Sequence, residues 1–131
     1  MILLDTHAFI WWHEGNPRLS ARAKLVIEHE QQAGQVMVSS LTCWEIALLV
    51  ERRKLFLSEE VQIWIGTIET QRHVRFIPVD NQIAITSVQL PAGLSKDPAD
   101  RIIVATAMLL NIPVVTVDRT IRAYPHVQTI W

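Results

Sequence analysis

Short apolar runs alternate along this chain with longer stretches in which apolar positions recur every three or four residues. Ile2 to Leu4, Val36 to Val38, Phe76 to Val79 and Val114 to Val117 are continuously apolar and rich in β-branched residues. That is the pattern of parallel strands buried on both faces. Val127 to Trp131 is a candidate fifth strand. Between the strands, Ser20 is placed to cap a helix carrying Ala23, Val26 and Ile27 on one face, with Gly34 ending it. Ser39 or Ser40 starts a second helix that runs to about Lys54. Ser58, followed by Glu59 and Glu60, starts a third that holds Val61, Trp64, Ile65 and Ile68. Asp80 caps a fourth, and Asp97 with Pro98 at the first helical position starts a fifth that continues through Leu110. This order predicts an α/β fold with a mainly parallel sheet of four to five strands.

Composition narrows the class. At 131 residues, 50% of them hydrophobic and 19% charged, the chain suits one domain over residues 1–131 with a substantial core. No stretch is biased enough to read as a linker or repeat. No apolar run reaches the roughly 18 residues of a membrane span. The start also lacks the basic segment of a secretion signal, so a cytoplasmic protein without membrane contact is expected. A single cysteine, Cys43, excludes an internal disulfide and a thiolate zinc cluster. The net charge of -1 decides nothing about nucleic acid, because binding depends on where cations cluster.

The carboxylates carry the chemical signal. Asp5 directly follows the first strand and Asp118 follows PVVTV, so both stand where the strands of an open α/β sheet end and ligands bind. Glu45 is the sole charge in LTCWEIALLV, which predicts that much of its helix is buried. Asp100 opens DRIIVATAMLL, uncharged from Ile102 onward. Both helices begin after strand ends, so four acids converge on one rim. Each also has an ordinary reading. Asp97 is a helix cap and Asp100 has the spacing to complete a capping-box-like pair with it. Thr42 and Glu45 share that spacing, and Asp5 and Asp118 can each cap the next element. Four acids on one rim repel unless a cation compensates. Oxygen donors without cysteine, and without histidines at ligand spacing, suit Mg²⁺, with Mn²⁺ an alternative, and hence phosphate chemistry. His7, His13, His29, His73 and His126 are expected mostly at the surface.

Lys96, Arg101, Arg119 and Arg122 lie near the acids in sequence and are candidates to meet the phosphates of a ligand at the cavity mouth. A solvated rim is the equal alternative. Arg52, Arg53 and Lys54 end a helix, where positive charge suits the dipole. Trp11 and Trp12, adjacent on a helix, are not expected to face one core together, which leaves one for an interface.

Four blocks, LLDTHAFIWW, WEIA, DPADRIIVATA and VVTVDRTI, give the whole chain a resemblance to the PIN domain, specifically to VapC-type toxin ribonucleases of bacterial toxin–antitoxin pairs. The resemblance implies a three-layer α/β/α fold with strand order 3-2-1-4-5, placing Asp5 beside Asp118. It implies metal-dependent endonucleolytic cleavage of RNA, an antitoxin protein as partner, and a homodimer. Asp5, Glu45, Asp100 and Asp118 match the family's four acids, and Thr6 and Thr116 match its supporting hydroxyls; Asp5 and Asp100 are the acids expected to be the principal metal ligands. Ala99 stands where many relatives carry a phenylalanine. Two rivals remain. A haloacid-dehalogenase-type phosphatase needs a second Asp where this chain has His7. A catalytically silent domain would use the same surface only to bind a protein.

Overall fold

The computed structural model describes all 131 residues. The elements are β1 (Ile2–Leu4), α1 (Thr6–Glu14), α2 (Ala21–Gln32), β2 (Val36–Ser39), α3 (Ser40–Glu51), α4 (Val61–Gln71), β3 (Val74–Ile77), α5 (Asn81–Val88), α6 (Pro98–Leu110), β4 (Val114–Val115), α7 (Arg119–Ala123) and β5 (Thr129–Ile130). The sheet runs β3-β2-β1-β4-β5 with every pairing parallel. Leu4 lies opposite both Val38 and Val115, so β1 is central and the residues just beyond it and β4 leave the sheet side by side.

Strand alternation builds the layers. Ile2, Leu4, Val36, Val38 and Val115 point to one face, where they meet Ala8, Phe9 and Ile10 of α1, Ala23 and Ile27 of α2, Ile46 and Ile68. Leu3, Met37 and Val114 point to the other, against Ile103 and Ala107 of α6. Because successive side chains alternate in direction, a continuous apolar run is what a strand covered on both faces requires. A further apolar cluster joins Ile83, Val104, Ala105, Ile121 and Tyr124 from α5, α6, α7 and the turn after it. The result is a three-layer α/β/α arrangement.

Several sequence-based boundaries move. β3 covers Val74–Ile77 rather than Phe76 to Val79, because Pro78 has no N–H to donate to the ladder. β4 stops at Val115, since the Thr116 hydroxyl accepts the Asp118 amide at 3.0 Å and turns the chain outward. β5 shrinks to Thr129–Ile130. Ser58 caps nothing: α4 begins after Glu60, which makes no side-chain capping bond. Leu55 and Leu57 pack on the same core as Val61 and Trp64, which keeps the intervening chain out of a helix. Only Thr42 and Ile46 of α3 are fully buried, so that helix is more open than its composition suggested, with Trp44 57% exposed. Trp11 and Trp12 both pack at the margin of one core cluster, contrary to expectation, each half-buried. His13 is also drawn inward, among Phe9, Trp12, Trp64 and His73.

Candidate active site

Four elements deliver carboxylates to the rim beyond the strand ends. Asp5 leaves β1 and is the N-cap of α1, its Oδ1 accepting the Thr6 amide at 2.7 Å. Its Oδ2 accepts the Thr116 hydroxyl at 2.7 Å, a contact set by the β1–β4 register. The Thr116 oxygen in turn accepts the Asp118 amide, so one threonine ties together the ends of both central strands. Asp118 caps α7: its Oδ1 accepts the Thr120 amide at 2.7 Å, the Thr120 hydroxyl at 2.6 Å and the Ile121 amide at 3.1 Å.

Thr6 makes the second link. Its hydroxyl donates to Glu45 Oε1 at 2.7 Å and lies 3.0 Å from the Thr42 hydroxyl. A hydroxyl carries one proton, so Thr42 is the donor to Thr6 and the chain of bonds runs from Thr42 through Thr6 to Glu45. The capping-box reading of Thr42 and Glu45 fails accordingly. Ser39 caps α3, and Thr42 is spent on Thr6. On α6, Asp97 is the cap, accepting the Ala99 amide at 2.8 Å. Asp100 does not close a box with it; its Oδ2 accepts the Ser95 hydroxyl at 3.0 Å instead. Asp5 and Asp118 thus perform the capping that sequence allowed them, and stand on the rim as well.

Asp5, Glu45, Asp97, Asp100 and Asp118 all line one open cavity of about 450 Å³. His7, Trp11, Arg18 and Val117 complete its wall. Burial pushes the Asp5 carboxyl above its usual range, against the lowering effect of Thr116 and Thr6. Burial likewise raises Glu45, with the Asp5 and Asp97 charges adding to it. Asp100 is pushed up to about 6, first by burial, then by Asp118, Asp97 and Asp5. Asp118 goes the other way: burial raises it, but the bonds from Thr120 and Ile121 outweigh that and hold it below the ordinary value. Mutually opposed carboxylates of this kind are stabilised by a cation.

The donor chemistry fits a hard dication. Glu45 Oε2, Asp100 Oδ1 and Asp118 Oδ2 carry no hydrogen bond and remain open. As the side chains stand, no three His, Cys, Asp or Glu residues are close enough to enclose an ion. A hard dication that keeps part of its water shell, such as Mg²⁺, would need only some of these oxygens as direct ligands.

The predicted cations are placed differently. Lys96, Arg101, Arg119 and Arg122 do not line the acidic cavity. Arg101 is spent on structure, its guanidinium donating to the backbone carbonyls of Ser87, Val88 and Ser95 and fastening α5 to the loop before α6. Lys96 and Arg101 border a separate depression. Sequence reasoning missed His7 and Arg18 and left Trp11 to the core or an interface. His7 follows Asp5 by two residues, so a helix starting at Thr6 was the available signal; Arg18 arrives only through the turn after α1.

Comparison with known proteins agrees with this geometry. The sequence profile described as "PIN domain" matches residues 2–127. Ribonuclease VapC22 of Mycobacterium tuberculosis is 36% identical, the match covering 99% of this chain and 98% of that protein. Among solved structures, FitAcB from Neisseria gonorrhoeae superposes with a TM-score of 0.71 at 23% identity, covering 100% of this chain and 97% of the other. VapBC2 from Rickettsia felis, bound to a DNA fragment from its promoter, also gives 0.71, at 16% identity and coverage of 99% and 98%. A near-full-length profile match, a near-full-length relative above 30% identity and the 3-2-1-4-5 parallel sheet coincide, and the chain belongs to the PIN domain family.

Proposed function

We propose that this protein is a Mg²⁺-dependent endoribonuclease, the toxin of a toxin–antitoxin pair, hydrolysing RNA phosphodiester bonds at the acidic cavity. The observation that carries the reading is the convergence of five carboxylates from four elements on one cavity, three of them raised above their ordinary pKa by burial and by one another. Such crowding lowers stability and is retained where a function needs it. The 36% identity to Ribonuclease VapC22 supports RNA as the substrate.

Asp5 and Asp100 are the principal ligands in this proposal, directly or through water, with Glu45 and Asp118 completing the shell; Mn²⁺ meets the same oxygen donors. When bound, the ion lowers the pKa of a coordinated water and offsets charge on the phosphate. The residues of the chain hold the geometry. Thr116 fixes Asp5 against the end of β4, and Thr6 fixes Glu45 against α1. Burial and the neighbouring acids hold Asp100 up to about 6 in the ion-free chain, and a dication among them would draw it back down.

The partner in this proposal is an antitoxin protein. FitAB from its FitAB–IR36 DNA structure and VapBC from Salmonella typhimurium, also bound to DNA, resemble this fold at TM-scores of 0.70. A place in the cytoplasm belongs to the same proposal; no helix of the chain is long and apolar enough to cross a membrane. Self-association as a homodimer belongs to the same reading; Phe56 and Ile63, 82% and 55% exposed, offer apolar surface for it. Incubation of purified protein with a mixed RNA pool tests the function. Cleavage is expected with Mg²⁺, lost with EDTA and restored by excess metal. RNA left intact under all conditions would favour the silent protein-binding reading.

A further inference from the structure

We propose that Arg18 and Lys54 form a phosphate-anchoring subsite that holds the RNA strand beside the acidic cavity, an assignment that rests on the ribonuclease reading above. The carboxylate cavity does not end at its acids. His7, Trp11 and Arg18 are shared with an adjoining cavity of about 230 Å³, whose far wall carries Lys54. The two hollows therefore adjoin across one set of side chains, with carboxylates lining the first and Lys54 the second. Glu14 is the only acid lining the second hollow.

Both cations are free to receive an anion. The ion pairs of the chain use the amino terminus of Met1, Lys24 and His29, and neither Arg18 nor Lys54 has a carboxylate partner. The contrast with Arg101 is instructive: its guanidinium is consumed by three backbone carbonyls, whereas that of Arg18 makes no hydrogen bond. Only the backbone amide of Arg18 is engaged, donating to Asn16 Oδ1 at 2.9 Å.

The chain directs Arg18 to this place. Gly15 ends α1 with φ at +63°, a left-handed turn that glycine adopts without strain. The amide of Asn16 then bonds back to the Trp11 carbonyl at 2.9 Å, folding the following residues against the helix. The Arg18 guanidinium ends 5.9 Å from the centre of the Trp11 ring. That distance is the outer range of a cation–π contact, which keeps the guanidinium beside the indole while its N–H groups stay unpaired and able to meet a phosphate.

An extended polyanion with a charge on every repeat fits such a surface. One phosphate can lie at the metal-compensated carboxylates while a neighbouring one meets Arg18 and Lys54. The anchor adds positive charge beside a cavity whose wall carries five acids. An acidic protein segment is the competing occupant, but it offers nothing to the carboxylate end.

Steady-state cleavage of a short single-stranded RNA in Mg²⁺ tests the proposal, using Arg18→Ala, Lys54→Ala, the double variant and Arg18→Lys. Both side chains are exposed, so melting temperatures should match the parent. Each alanine is expected to raise KM about tenfold, with kcat changed less than about twofold. Each should also reduce the slope of log(kcat/KM) against log salt by about one. Arg18→Lys should recover part of the loss. Parental cleavage with unchanged KM and salt slope in the variants overturns the anchor alone. Variants that bind RNA normally but lose affinity for the co-expressed antitoxin assign the surface to protein and also overturn it. A parental chain that cleaves no RNA overturns the ribonuclease reading beneath it.

Discussion

Asp100→Asn measures the cost of holding a charge at a site that is partly buried and ringed by other carboxylates. In the folded protein this carboxyl holds its proton up to about pH 6, whereas an unperturbed aspartate releases it near 3.8. The folded state therefore binds more protons than the unfolded chain within that window, and stability falls as pH rises through it. A displacement of this size corresponds to about 3 kcal/mol at full weight. Because the side chain is only partly withdrawn from water, screening reduces the figure to about 1–2 kcal/mol. Asparagine keeps an oxygen for the Ser95 hydroxyl but removes the charge. Above about pH 7 the variant should therefore be more stable by that amount, with a melting temperature raised by about 3–8 °C. Below about pH 4 both proteins carry a neutral group at this position and the difference should vanish. Saturating Mg²⁺ should invert the ranking, since ion binding stabilises the parent by about 2.7 kcal/mol at a hundredfold excess over Kd and the variant by less. Thermal melts across pH, with and without the ion, provide the measurement. A variant less stable than the parent above pH 7, or a gain unchanged across the whole range, refutes the reasoning.

Other consequences follow from the same geometry. Asp5→Asn should abolish RNA cleavage while leaving the fold intact by circular dichroism, because the substitution relieves a buried charge and keeps an acceptor for the Thr6 amide. Thr6→Val should cost about 1–3 kcal/mol in denaturant titrations, since it strands the buried Thr42 hydroxyl and frees Glu45 from its only hydrogen bond. His13→Phe should make the protein more tolerant of acid. Burial lowers the His13 pKa and its Nε2 has no partner, so below about pH 6.5 the unfolded chain takes up protons the folded one resists, and stability is lost as pH falls. Phenylalanine removes that loss, as chemical unfolding at two pH values would reveal.

The strand and helix elements were legible because their signals are local. Ile2 to Leu4, the Ser20 and Asp80 caps and the Asp97–Pro98 start of α6 each depend on neighbours within a few residues. The failures were local rules overruled at a distance. Ser58 has the chemistry of a cap, but Leu55 and Leu57 hold the chain to the core and delay α4. Pro78 trims β3, a signal that was present and outweighed by the apolar run. Among the acids, position at a strand end placed Asp5 and Asp118, and isolation in an apolar helix singled out Glu45 and Asp100, although α6 follows α5 and not, as expected, a strand.

What the sequence could not supply was the partner of each group. That Thr6 serves Glu45, that Thr116 serves Asp5, and that Asp100 turns to Ser95 depend on contacts between segments as much as 111 positions apart. The cations show the same division. Arg101 stands beside an acid in sequence yet is absorbed by backbone carbonyls, while Arg18, remote from every acid but those of α1, arrives at the cavity through the turn at Gly15. Hydrophobic periodicity and capping chemistry act over a helical turn and can be read along the chain. Hydrogen-bond pairing and electrostatic environment act through space, and only the packed sheet and its helices decide them.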